Sequence, residues 1–246
     1  MASRAACDLA ATTHQWGNMG FNRTQYMNDH LSEPVVIPAD GVRLAGTLTL
    51  PPYPQGVVLF AHGSDSSRFS PRNQFVAHAL VGANVGSLLF DLLTEHEARS
   101  RSNVFDIPLL ANRLRLATRW VASYPASADL KVGYFGASTG AAAALAAAAD
   151  PEAQIGAVVS RGGRPDLAGE LLPHVRAPTL LIVGGNDTPV LELNRVALVR
   201  LGGIKQLTIV PGATHLFEEP GALEAVARHA AGWFTRHLGA ATPSTR

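Results

Sequence analysis

At 246 residues, 47% of them apolar and 16% charged, the chain has the length and composition of a single globular α/β domain with a large core, which excludes an intrinsically disordered protein. Its 20 basic and 19 acidic residues leave a formal net charge of +1 with no lysine or arginine block, so the balance argues against a nucleic-acid partner. The single cysteine, Cys7, excludes an intrachain disulfide framework and offers no zinc-type spacing; neither a metal nor a cofactor is expected.

No apolar run approaches the roughly 20 residues needed to span a bilayer, and the first 33 residues lack the continuous apolar stretch of a secretory signal. A cytoplasmic protein without a membrane partner is expected. Residues 1–32 are polar and show neither strand nor helix period, as a flexible extension would; Met27 is a plausible alternative start. The folded domain is expected over 33–239, followed by a tail over 240–246.

From residue 34 the pattern becomes regular. VVIP and VRLAGTLTL, joined by Ala39-Asp40-Gly41, predict a β-hairpin. GVVLFAH, residues 56–62, is a continuous apolar run that predicts a strand covered on both faces. A serine-rich loop follows, then Ser70-Pro71 as cap and first residue of a helix through RNQFVAHALVGA. VGSLLFD predicts the next strand, and TEHEARSRSN a mobile rim loop. Beyond it, alternation continues: helix 104–123, strand 130–135, an alanine helix, strand 155–160, a short helix near 165–172, strand 178–183, helix 189–200, strand 205–210 and a helix from about 220 to 238. This order predicts a mainly parallel sheet with helices on both faces, whose ligands lie beyond the carboxyl ends of the strands.

The stretch KVGYFGASTGAAAALAAAAD, residues 131–150, places Gly136-Ala137-Ser138-Thr139-Gly140 between a strand and a helix. The pattern is GxSxG in the context that gives it meaning, a sharp bend lifting a serine hydroxyl above the sheet. A serine there either caps the helix or reacts. A reacting serine needs a base, and the base needs an orienting acid. LLIVGGNDTPV puts Asp187 just past one apolar strand, and LTIVPGATHLF puts His215 just past the next, so both are expected at the same sheet edge as Ser138. The order Ser, Asp, His is that of α/β-hydrolases. The Thr139 amide at the helix start, and that of Ser64 in AHGSDSS, residues 61–67, are the candidate oxyanion donors. His62 is expected to hold that loop in shape.

Over about residues 33–239 the chain resembles the dienelactone hydrolase-like branch of the α/β-hydrolase superfamily. The likeness rests on HGSDSSRFSPRN, FDLLTEHEA, VGYFGASTGAAAAL, SRGGRPDLAG and GATHLFEEPGAL, and it resembles a bacterial group sometimes fused to a phosphoribosyltransferase domain. The resemblance implies an α/β-hydrolase fold. It departs from dienelactone hydrolases proper in carrying Ser138 where they carry a cysteine, and Asp65 stands where relatives tend to have glycine. Only one short helix fits between Ser160 and Pro178, so a large lid is not expected and the site should be open to small or water-soluble esters. Arg68 and Arg161, on loops at strand ends, are candidates for clamping a substrate carboxylate. The expected activity is hydrolysis of a small carboxylic ester through an acyl-enzyme intermediate. A lactonase, a thioesterase or a non-catalytic ligand-binding protein of the same fold is the alternative.

Overall fold

The hairpin that opens the domain is the first feature of the computed structural model, which describes residues 30–239. Strands β1 (Leu31–Ala39) and β2 (Val42–Leu50) pair antiparallel, and the turn between them has positive φ at both Asp40 and Gly41, 44° and 82°. That is the two-residue turn whose twist matches the strands it joins, as the Ala39-Asp40-Gly41 signal predicts. β1 carries Pro34 and Pro38 and forms one edge of the sheet.

The remaining elements in chain order are β3 (Val57–Ala61), α1 (Pro71–Gly82), β4 (Gly86–Phe90), α2 (Glu95–Ala98), α3 (Arg101–Val104), α4 (Ile107–Ser123), β5 (Val132–Ala137), α5 (Thr139–Ala148), β6 (Ala157–Arg161), β7 (Thr179–Gly184), α6 (Thr188–Arg200), β8 (Lys205–Val210) and α7 (Ala222–Leu238). Short 3₁₀ segments occupy Pro151–Ala153 and Pro165–His174, the second kinked at Gly169. The eight strands form one sheet in the order β1-β2-β4-β3-β5-β6-β7-β8. β2 meets β4 antiparallel, and every pairing from β4 to β8 is parallel.

Period-two alternation divides the core in two. Val57, Leu59 and Ala61 of β3 join Leu110, Leu114 and Val121 of α4 and the alanines of α5 on one face. Val58 and Phe60 join Val76 and Leu80 of α1 and Val226, Trp233 and Phe234 of α7 on the other. All ten residues of α5 are buried, which explains its composition: alanine is a strong helix former whose short side chain lets a helix lie close against a sheet.

Three expectations change. The helix expected over 104–123 is broken, because the Asp106 side chain accepts from the Leu109 N–H at 2.9 Å and starts α4 at Ile107. Pro108 in its first turn needs no N–H partner there. The stretch expected as a mobile rim loop is instead ordered as α2 and α3. Thr94 and Glu97 form a reciprocal capping box, and Arg113 Nη2 donates to Glu97 Oε1 at 2.8 Å; such a box satisfies two donors at once. Strands β5 and β6 also end later than expected, at Ala137 and Arg161, carrying regular pairing up to the functional loops. Among the described residues no helix is long and apolar enough to cross a membrane.

Candidate active site

Ser138 stands at the join of β5 and α5 with φ 52° and ψ −122°, and its side chain makes no capping hydrogen bond. A non-glycine residue in this region is strained, and such strain persists only where the surroundings over-determine it. The glycines of the motif show how it is imposed. A Cβ at Gly136 would lie 2.4 Å from Ala141 Cα, and one at Gly140 would lie 2.1 Å from the Ala61 carbonyl oxygen. Both positions admit only glycine, so the bend locks the first turn of α5 against β3. Of the two readings of Ser138, capping is excluded by this geometry.

Asp187 formally precedes α6 but likewise makes no side-chain cap. Its Oδ2 lies 2.7 Å from His215 Nδ1, with the carboxylate largely buried and the imidazole 39% exposed. The loops carrying the two residues are stitched together: Asn186 N–H donates to the Ala213 carbonyl and Asn186 Nδ2 to that of Gly212, each at 2.9 Å. Gly184 permits the approach, since a Cβ there would meet the Ala213 oxygen at 2.3 Å. Ser138 is connected to the same corner through β6. Its N–H donates to the Arg161 carbonyl at 3.2 Å, and the position of a Cβ at the next residue, Gly162, is 3.5 Å from His215 Cε1. Among the described residues Ser138 Oγ makes no direct hydrogen bond to His215.

The loop after β3 borders Ser138, with a Cβ at Gly63 falling 3.2 Å from Ser138 Cβ. Ser64 and Thr139 both line a cavity of about 450 Å³ together with His62, Gly63, Arg68 and Thr94. The N–H of Thr139 belongs to the first turn of α5, where amides have no intrahelical partner. His62 is half-buried, and desolvation of its ring, opposed by its bond to Gly63 and the charge of Asp91, lowers its pKa. The Leu92 N–H points at its Nε2 at 3.1 Å, and Nδ1 lies 3.0 Å from the Gly63 carbonyl. An amide can only donate, so the ring is neutral with its proton on Nδ1. Such an imidazole braces the loop and has no free nitrogen for proton transfer.

The two arginines part ways. Arg68 lines the cavity, but its guanidinium pairs with Asp91 Oδ2 while its N–H donates to Asp91 Oδ1 at 2.8 Å. Arg161 closes β6, is only 7% exposed and packs its guanidinium 5.8 Å from the Phe217 ring centre. Asp91, which neutralises Arg68, and the Glu97–Arg113 pair escaped the sequence reading; Asp91 ends the predicted strand VGSLLFD, the position at which acids face the site. Among the described residues no cluster of metal-ligating side chains is present.

An eight-stranded, mainly parallel sheet with helices on both faces and a strained serine between β5 and α5 defines the α/β-hydrolase fold. Residues 98–238 match the model of the Dienelactone hydrolase family. A dienelactone hydrolase from Anabaena variabilis is 54% identical and superposes with a TM-score of 0.82, over 85% of this chain and 98% of that one. The chain belongs to the dienelactone hydrolase family. Est1E from Butyrivibrio proteoclasticus shares the fold at a TM-score of 0.71 and 14% identity, over 83% of this chain and 98% of that one. Two curated chains from Mycobacterium tuberculosis strains, each bearing the name "Putative phosphoribosyl transferase", are 61% identical over 86% of this chain and 48% of their own length. The chain therefore spans about half the length of the curated relatives it matches.

Proposed function

We propose that the protein is a serine hydrolase that cleaves a small carboxylic ester through an acyl-enzyme intermediate. The observation that carries this reading is the uncapped Ser138 held at positive φ at the edge where Asp187 orients His215. In this reading Ser138 Oγ attacks the ester carbonyl carbon as His215 Nε2 takes its proton. Asp187 holds the imidazole with Nδ1–H towards the carboxylate and stabilises the imidazolium that forms. The amides of Thr139 and Ser64 receive the developing oxyanion. Collapse of the tetrahedral intermediate expels the alcohol, protonated by His215, and water repeats the sequence in reverse to release the acid.

Lactones and thioesters pass through the same oxyanion and would be handled by the same groups. The transferase name of the curated relatives describes chains about twice as long, and the half covered here carries the hydrolase elements. Replacing Ser138 by alanine is expected to lower turnover of p-nitrophenyl acetate by at least about a thousandfold, the scale of losing a serine nucleophile. Labelling by a fluorophosphonate should modify Ser138 and fail on the alanine variant. Unchanged turnover in that variant refutes the assignment, and wild-type protein inert to both reagents favours a ligand-binding protein of the same fold.

A further inference from the structure

Asn194 is a fully enclosed polar side chain in the middle of α6, where asparagine is a poor helix former. Its Nδ2 donates to two carbonyls, that of Val190 one turn earlier at 2.8 Å and that of Gly163, in the loop after β6, at 2.9 Å. Carbonyls only accept, so the amide nitrogen must face both. Oδ1 is enclosed and accepts from no described residue. A buried amide with one end unsatisfied costs stability. Its use lies in what the loop it holds touches.

Residues 161–164 grip the backbone of Ser138 from both sides. The Arg161 carbonyl accepts from the Ser138 N–H at 3.2 Å, and the Arg164 N–H donates to the Ser138 carbonyl at 3.1 Å. Between them, the Gly162 N–H donates to the Ile182 carbonyl of β7 at 2.8 Å, and a Cβ on Gly162 would stand 3.5 Å from His215 Cε1. Gly163 is wedged against α5, since a Cβ there would fall 2.5 Å from Ala141 Cβ. Asn194 attaches this loop to α6, which begins one residue after Asp187; the Asp187 carbonyl accepts from the Leu191 N–H at 2.9 Å in its first turn. One side-chain amide thus closes a path from the helix that follows Asp187 to the loop that borders both Ser138 and His215.

We propose that Asn194 is a positioning residue: through Gly163 it fixes residues 161–164 against α6 and so holds Ser138 in register with His215 and Asp187. Its catalytic consequence rests on the ester-hydrolase reading, whereas the mechanical link is tested without turnover. Asn194→Ser is the sparing variant, because a serine hydroxyl satisfies itself on the carbonyl one turn earlier and does not reach Gly163. Asn194→Leu keeps the size and removes the donor. Ala197→Gly, also buried in α6, loosens the same helix without a side chain that bonds to the loop.

Amide hydrogen exchange is followed by NMR. In either Asn194 variant the N–H groups of Ser138 and Arg164 should exchange at least about tenfold faster relative to that of Leu181 in β7, a ratio that cancels any global loss of stability. Ala197→Gly should leave the ratio unchanged. With p-nitrophenyl acetate, kcat should fall at least about tenfold in the Asn194 variants while KM stays within about twofold, since a misplaced nucleophile costs the chemical step rather than ground-state binding. An unchanged exchange ratio in the Asn194 variants overturns the proposal, and so does an equal change in Ala197→Gly. Faster exchange with unchanged kcat overturns the catalytic role. Should Asn194→Leu fail to fold, Asn194→Ser carries the test by the same criteria; loss of folding in both also overturns the proposal, because the side chain then supports the whole domain rather than one loop. Wild-type protein without esterase activity refutes the ester reading while the exchange ratio still decides the link, so the two fail separately.

Discussion

The histidine that follows β3 and the histidine that follows β8 occupy different electrostatic situations at nearly the same sheet edge. His62 is half-buried, with both ring nitrogens engaged by backbone groups; His215, also half-buried, has one nitrogen held by Asp187. Only the second has a nitrogen free to exchange protons. Because burial is the largest influence on His62 and lowers its pKa, its ring should stay neutral as the pH falls through the ordinary histidine value of 6.5. The unfolded chain does take up a proton there, so this group contributes stability at higher pH that is lost as the pH falls from that value towards the folded pKa. Imidazole nitrogen NMR of His62 should show a protonated Nδ1 and an unprotonated Nε2 throughout. A ring that titrates at its ordinary value would contradict the bracing role.

At the scale of elements, the placement of glycine separates positions that hold the site from positions that merely tolerate flexibility. Gly140 has the Ala61 carbonyl oxygen 2.1 Å from where a Cβ would be, whereas Gly232, in the interior of α7, has nothing within 4 Å. Gly140→Ala is expected to destabilise the fold by about 3 kcal/mol through overpacking against backbone. Gly232→Ala should stabilise it by roughly 0.5–1 kcal/mol by removing a helix-interior glycine. Denaturant melts of the two variants check both signs.

The strands of the parallel half were legible in the sequence because each is buried on both faces and so reads as an unbroken apolar run. The hairpin was legible from its turn residues, and Ser138, Asp187 and His215 from their places at the ends of such runs. The break before α4 was missed because Val104 and Phe105 continue the apolar spacing across it, and a single side-chain cap at Asp106 decides against them. The order in 95–104 was only half legible: Thr94 and Glu97 have the spacing of a capping box, but Arg113, which pairs with Glu97, lies on another element.

Across the whole molecule, Arg113 ties the rim of the site to the far edge of the sheet. From α4 its guanidinium reaches the Ala39 carbonyl at the end of β1 and Glu97 in α2, so the capped rim helix and the hairpin turn share one buried cation. Burial would by itself raise the pKa of Glu97; hydrogen bonds from the Thr94 N–H and hydroxyl, with the charge of Arg113, outweigh it and hold the carboxyl below its ordinary value of 4.5. A carboxylate with a depressed pKa contributes stability above its unfolded value that is lost as the pH falls through the folded one. Glu97→Gln should therefore lower Tm at about pH 7, and the gap to wild type should narrow as the pH is taken down through and below the ordinary carboxyl value of 4.5. A gap independent of pH would show that the side chain acts through shape rather than charge.

The prolines of β1 decide how this sheet can grow. Lacking N–H groups, Pro34 and Pro38 leave gaps along the outermost strand, and a foreign strand laid against it finds donors missing at two positions of the same parity. β8 has no proline among Lys205–Val210 and leaves Ile209, like Ile204 just ahead of the strand, open to solvent. Recruitment of a ninth strand, whether in assembly or in aggregation, is thereby steered to the flank nearest His215 and away from the hairpin.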